Sequence, residues 1–162
     1  MKKVLSILLV LILGLGLFTG CGNELSDEMQ VTTSAYMQIP NEWVNNTNEV
    51  FGTDGVTFQT SEDSNVYQYL SISEYQGDFE TYMSAWLNTF SKEEDFQIIN
   101  QEDILAGGCN AKMTEFSLTS NGKLFYHKYY TIQKDSNVIC IAYMSDSNDY
   151  ELLDKALETF HF

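Results

Sequence analysis

The chain has 162 residues, 44% hydrophobic and 14% aromatic, with a single proline. That is too apolar for a disordered acidic chain and long enough for one domain with a core of its own. Eight lysines face 23 acidic residues, arginine is absent, and the formal charge of −15 repels phosphate backbones, which excludes nucleic acid as a partner.

Met1-Lys2-Lys3 precedes an apolar run over residues 4–18, closed by Thr19-Gly20-Cys21. The run is shorter than the ~20 residues a permanent transmembrane helix needs. A charged start, a short apolar centre and small residues before a cut describe an export signal. Leu17-Phe18-Thr19-Gly20-Cys21 resembles the bacterial lipobox, which implies lipid attachment at Cys21 and residence on the extracytoplasmic side of the cell membrane. The alternatives are an ordinary secretory signal or a retained anchor. Residues 1–20 are read as the signal peptide, 21–34 as the lipidated N-terminus with a flexible polar tether, and 35–162 as one domain. Losing Lys2 and Lys3 with the signal takes the formal charge from −15 to −17. A chain so acidic is repelled by anionic headgroups, so acyl chains must hold it, at ~0.8 kcal/mol per buried CH₂.

Within the domain, a short strand over residues 36–39 stops at Pro40, and Trp43 follows. Residues 56–60 and 67–74 read as strands, separated by the turn-rich Ser61-Glu62-Asp63-Ser64-Asn65. Then the period changes. Phe79, Tyr82, Met83, Trp86, Leu87 and Phe90 make one wide apolar stripe on a helix, and Asp78 is placed to cap it. Strands follow at 96–102, 110–118, 123–132 and 138–144. Asn121-Gly122 is a hairpin signal, because both positions of the favoured two-residue turn take positive φ. Asn148 and Glu151 are spaced as a capping box, ahead of a second apolar helical stripe of Leu153, Ala156, Leu157 and Phe160.

An Asn121-Gly122 loop pairs Ser120 with Lys123, and a Ser136-Asn137 loop pairs Asp135 with Val138. One sheet face then carries Ala111, Met113, Tyr126, Tyr130, Ile132, Ile139, Ile141 and Tyr143. The other carries Phe116, Leu118, Phe125, Tyr129, Val138, Cys140, Ala142 and Met144. Both faces are apolar and both need cover. The expected class is therefore α+β, a three-layer α/β/α sandwich around a mainly antiparallel sheet. Lys128 opposes Glu115 in the same register.

The order of elements, with Ile39-Pro40-Asn41-Glu42-Trp43 at the start and Phe160-His161-Phe162 at the end, resembles the PsbP-like family over residues 36–162. That resemblance implies the three-layer architecture. It also implies a non-catalytic accessory role, in a family whose members include extrinsic thylakoid proteins and many bacterial lipoproteins of unassigned role. It transfers no metal or partner-contact residue to this chain.

Motifs that carry chemistry are few. The chain has two histidines, His127 and His161, and no His-Glu-x-x-His, Cys-x-x-Cys, phosphate-cradling glycine loop or Gly-x-Ser-x-Gly. Gly107-Gly108 reads as a turn. In the register above, Cys109 lies on the opposite face from His127, and Cys140 lies roughly 20 Å along the strand from it, which argues against a Cys/His nucleophile. Cys109 and Cys140 sit roughly 10 Å apart, beyond disulfide reach. Glu93-Glu94-Asp95 and Asp146-Ser147-Asn148-Asp149 lack the alternation and central glycine of a calcium loop. Tyr67 and Tyr69, alternating along a strand, read as core rather than as a sugar or peptide platform. No catalytic residue, cofactor or metal is expected. The function expected is that of a membrane-anchored extracytoplasmic accessory or binding module with an envelope protein as partner. The alternatives are a small-ligand carrier with a deep apolar cavity and a small envelope enzyme.

Overall fold

The computed structural model describes residues 24–47, 54–60 and 65–162, and among these it has nine strands and two helices. The segment read as a signal peptide and Cys21 lie outside the described residues. Strands β1 (Met29–Gln30) and β2 (Tyr36–Met37) form a small hairpin. Then come β3 (Trp43–Asn45), β4 (Asp54–Thr60), β5 (Gln68–Gln76) and helix α1 (Phe79–Phe90). A meander of β6 (Glu94–Ala106), β7 (Cys109–Ser120), β8 (Lys123–Lys134) and β9 (Asn137–Ser145) leads to helix α2 (Glu151–Leu157). The main sheet runs β3-β4-β5-β9-β8-β7-β6, with every neighbouring pair antiparallel.

Alternation along the strands divides the apolar side chains between two cores. On one face Leu70, Ile72, Ile132, Ile139 and Ile141 pack beneath Val31 and Met37 of the N-terminal segment and Leu153 and Ala156 of α2. On the other, Phe116 and Leu118 pack beneath Met83 and Trp86 of α1. The sandwich therefore has the expected α+β, three-layer form, with the β1–β2 hairpin sharing one outer layer with α2.

Helix α1 spans the residues that its apolar stripe marks out. The Asp78 side chain accepts the Thr81 backbone N–H at 3.0 Å, and Trp86 is 7% exposed. The β7–β8 register runs from Ser120–Lys123 to Ala111–Ile132 as expected, with Asn121 and Gly122 at φ 51° and 75°. The β8–β9 register differs. Lys134 pairs with Asn137, and the loop is Asp135-Ser136, with Asp135 at φ 53°. A slip of two residues preserves every face assignment, so the two cores form as read while Cys140 opposes Thr131 rather than Gln133.

Two further expectations are corrected. Residues 24–34, read as flexible tether, belong to the packed domain: Val31 is 1% exposed and Leu25 bridges to Pro40. The Thr33 and Ser34 hydroxyls donate to the Glu74 carboxylate at 2.8 and 3.1 Å, satisfying polar groups that would otherwise favour solvent. The capping box at Asn148 does not form. Tyr150 is the N-cap of α2, and Asp149 Oδ1 accepts the Glu151 N–H at 3.1 Å. Helix α2 ends at Leu157, so Phe160 reaches the core from an extended tail. There the His161 N–H donates to the Tyr36 carbonyl at 3.1 Å, and the Tyr36 N–H returns a bond at 2.9 Å.

Candidate functional site

Beside the C-terminal end of α1, a cleft of 580 Å³ is lined by Phe90, Leu118, Phe125, Met144, Tyr67 and His127, with Glu93 and Lys123 among its polar members. Tyr67, read as core, is 39% exposed and meets the Phe125 ring edge-on at 6.4 Å. Lys123 pairs with Asp146 at 2.6 Å, and its ammonium lies 5.7 Å from the Phe125 ring.

His127 is the unusual member. It projects from β8 on the same face as Phe125 and Tyr129, stacks on Phe116 at 4.6 Å, and is 4% exposed. Neither ring nitrogen has a hydrogen-bond partner among the described residues. Burial in this aromatic setting lowers its pKa to about 4, because desolvation disfavours the charged ring. At neutral pH the imidazole is therefore uncharged, which suits an apolar wall better than a proton carrier.

Thr131 Oγ1 and the Tyr150 hydroxyl are likewise buried without a hydrogen-bond partner among the described residues, whereas Lys128 and Glu74 are fully engaged. Lys128, 7% exposed, pairs with Asp154 at 2.8 Å and Glu115 at 3.3 Å and lies 4.9 Å from the Tyr150 ring. This ties α2 to the sheet and includes the cross-strand pair expected from the register. Burial alone would raise the Glu74 carboxyl, but bonds from Thr33, Thr32, Asn137 and Ser34 hold it below its ordinary value. The Asn137 amide donates at 2.6 Å. Cys109 and Cys140 are both free thiols. Burial pushes the Cys140 thiol up to about 11, only partly offset by a bond to Tyr82, so it is protonated and a poor nucleophile. His127 opposes Met144, four residues along β9 from Cys140, so the two are roughly 13 Å apart. Among the described residues, no group of three or more His, Cys, Asp or Glu is arranged to hold a metal ion.

Sequence reasoning missed the cleft, since it read Phe125 and Met144 simply as a covered face. The available signal was His127 itself, alternating with Phe125 and Tyr129 without a polar neighbour on its face. Cys21, the single site residue predicted, lies outside the described residues. None of the described helices is long and apolar enough to cross a membrane.

The mainly antiparallel sheet with its two helices defines a PsbP-like α+β fold. Particular structures share it. CyanoP, the cyanobacterial PsbP of Synechocystis sp. PCC 6803, superposes with a TM-score of 0.60 at 16% identity, over 90% of this chain and 99% of its own. LpqN, involved in cell envelope biogenesis of Mycobacterium tuberculosis, gives 0.55 at 17% identity, over 86% and 91%. A Pseudomonas aeruginosa protein of unknown function gives 0.52 at 14% identity, over 84% and 92%. No family model matches the chain, and no curated protein matches it.

Proposed function

We propose that this chain is a lipid-anchored accessory module of the cell envelope, attached at Cys21 to the extracytoplasmic side of the membrane, that works by docking a partner rather than by catalysis. The observation that carries the reading is how its charge is distributed. Of the six lysines beyond the signal segment, four are tied to carboxylates: Lys112 to Asp103, Lys123 to Asp146, Lys128 to Glu115 and Asp154, and Lys155 to Glu24 and Glu151. A fifth, Lys134, lies 5.0 Å from the Phe162 ring. Five of the six lysines are thus held by carboxylates or a ring, and with 23 acids in the chain the field outside the molecule is that of the surplus acids, which steers basic partners. The neutral His127, the protonated Cys140 and the bonded Lys128 and Glu74 support docking over catalysis. The fold shared with LpqN supports an envelope role.

The test is isolation of the full-length protein from intact envelopes. A basic envelope protein should co-purify at low salt and leave as ions screen the attraction. Capture of nothing at low salt, together with turnover of a small substrate, refutes the proposal. The cleft favours a second reading, a carrier for a small apolar ligand. In that case an organic molecule rather than a protein would accompany the purified chain.

A further inference from the structure

Strand β6 ends the sheet, and its outer edge has no neighbour among the described residues. It is 13 residues long, and all but Phe96, Ile104 and Ala106 are exposed. Ile98, Ile99 and Leu105 are 50%, 52% and 72% exposed. Such an edge offers a row of backbone donors and acceptors to any extended chain, and natural proteins normally shorten, charge or cover it. Here it is charged and long, but not covered.

The charge pattern determines which chains it admits. Glu94, Asp95, Glu102 and Asp103 lie on the strand, and it carries no lysine. Lys112 of β7 pairs with Asp103 at 2.5 Å, and the Thr119 hydroxyl donates to Asp95 at 3.1 Å. The four acids are placed symmetrically about the Ile98-Ile99 pair. A second copy added antiparallel keeps each side chain on its own face, so centred on Ile98 it would set Glu94 against Glu102 at both ends, two acids that share a face because they oppose Thr119 and Met113. Like charges directly opposite one another destabilise a strand pair. Bulges between Glu94 and Gln97 and between Ile98 and Asn100 leave residues 100–106 as the regular stretch. Self-pairing centred there, on Asp103, sets Asp103 against Asp103 of the second copy. Both registers oppose a second copy, and both favour a basic strand.

We propose that the free edge of β6 docks an extended segment of a partner protein, added as an eighth strand, in which lysine or arginine flanks a short apolar stretch. The backbone would supply the ladder, Ile98, Ile99 and Leu105 the apolar contacts, and the acids the selection. This rests on the acidic-docking reading above and adds where the partner binds and what sequence chemistry it carries.

The experiment uses the full-length protein in detergent micelles. The probe is a ten-residue peptide with lysines on both sides of a Val-Ile pair, and the readout is amide hydrogen exchange. At low salt the peptide should slow exchange within residues 94–106 by ~10-fold or more and leave α1 and β3 unchanged. A peptide with glutamate in place of lysine should have no effect. Joint Glu94→Lys and Glu102→Lys substitution, at exposed positions whose fold retention a melting curve checks, takes the strand's formal charge from −4 to zero and should abolish that preference. If the lysine peptide binds but protects residues around the cleft, the edge proposal is overturned and acidic docking stands. The same holds if an envelope partner co-purifies in a salt-sensitive way while the peptide leaves β6 unprotected. Concentration-dependent dimerisation that protects β6 without peptide overturns it in favour of a second copy. If neither peptide nor envelope protein binds, the docking reading fails with it.

Discussion

Replacing His127 by leucine separates two costs that the native protein carries together. The first is the burial of an imidazole whose two nitrogens find no partner among the described residues. An unsatisfied buried polar group costs about 1–3 kcal/mol, which an apolar side chain of similar size avoids. The loss of the stack on Phe116 offsets part of that gain. At pH ~7.5, where both folded and unfolded chains hold the ring neutral, His127→Leu should lie within ~1 kcal/mol of wild type. The second cost appears only in acid. The folded-state pKa of about 4 lies below the ordinary 6.5, so as pH falls the unfolded chain takes up the proton first. Stability linked to this ring is full above pH 6.5 and is lost as pH falls towards 4. The whole shift is on the order of 3 kcal/mol, of which about 2 kcal/mol has gone by pH ~5. Other acid-titrating groups are common to both proteins, so the difference between wild type and variant isolates His127. Urea unfolding at the two pH values, with unchanged m, should show the variant gaining about 2 kcal/mol over wild type on acidification. Parallel stability curves would refute the reasoning and place a bonded or protonated imidazole at this position.

Other perturbations test the frame around it. Trp86→Ala should cost ~3–5 kcal/mol in a melting or urea experiment, because Trp86 packs against Phe116 at 5.6 Å and Tyr129 at 5.2 Å with 7% exposure. Gly55→Ala should cost ~2–3 kcal/mol, since a Cβ there would strike the Ile72 backbone carbonyl, and a silent substitution would contradict the β4–β5 geometry. Glu74→Gln brings an amide N–H₂ against donors and should cost ~1–3 kcal/mol, with exchange accelerated first in residues 29–37. The lowered Glu74 pKa means its stabilisation is present above the ordinary 4.5 and lost as pH falls below it, a loss the glutamine variant should not show. Cys21→Ser should abolish labelling by a radioactive fatty acid, and equal labelling of the two proteins would dismiss the anchor.

How legible each part was follows from the range of the interactions that form it. Helix α1 could be placed residue by residue because its stripe and its Asp78 cap are local, and the β7–β8 hairpin because Asn121-Gly122 admits few other conformations. The next turn offered Asp135, Ser136 and Asn137, all turn formers, and two loop placements that put the same side chains on the same faces. Local pattern could not choose between them, and Asp135 at φ 53° is the outcome. The N-terminal segment was misread because its support is remote. Thr33 and Ser34 look solvated until Glu74, 41 and 40 residues away, is brought beneath them. The cleft depends on where the end of α1 falls against a hairpin some thirty residues later, and no periodicity records that.

The corrected N-terminus changes how the proposed anchor would work. A flexible tether over residues 22–34 would have let the domain range roughly 20 Å from the membrane. Instead the chain is already packed at Glu24, whose carbonyl accepts the Asn41 N–H at 3.0 Å and whose carboxylate pairs with Lys155 at 2.6 Å. At most two residues, Gly22 and Asn23, then separate Cys21 from packed chain, which bounds the reach at ~11 Å. With Cys21 lipidated, the end of the fold carrying Glu24, Leu25, Pro40 and Lys155 must face the bilayer closely. A net charge near −17 beyond the signal would push that surface from anionic headgroups while the acyl chains hold it. The domain would then stand in a restricted orientation, with its open surfaces presented at a nearly fixed height. Lengthening the Gly22-Asn23 link with ~10 glycine and serine residues would test this. It should leave lipidation and stability unchanged but weaken capture of a partner that is itself fixed in the membrane. Undiminished capture by the lengthened chain would show that height and orientation play no part in docking.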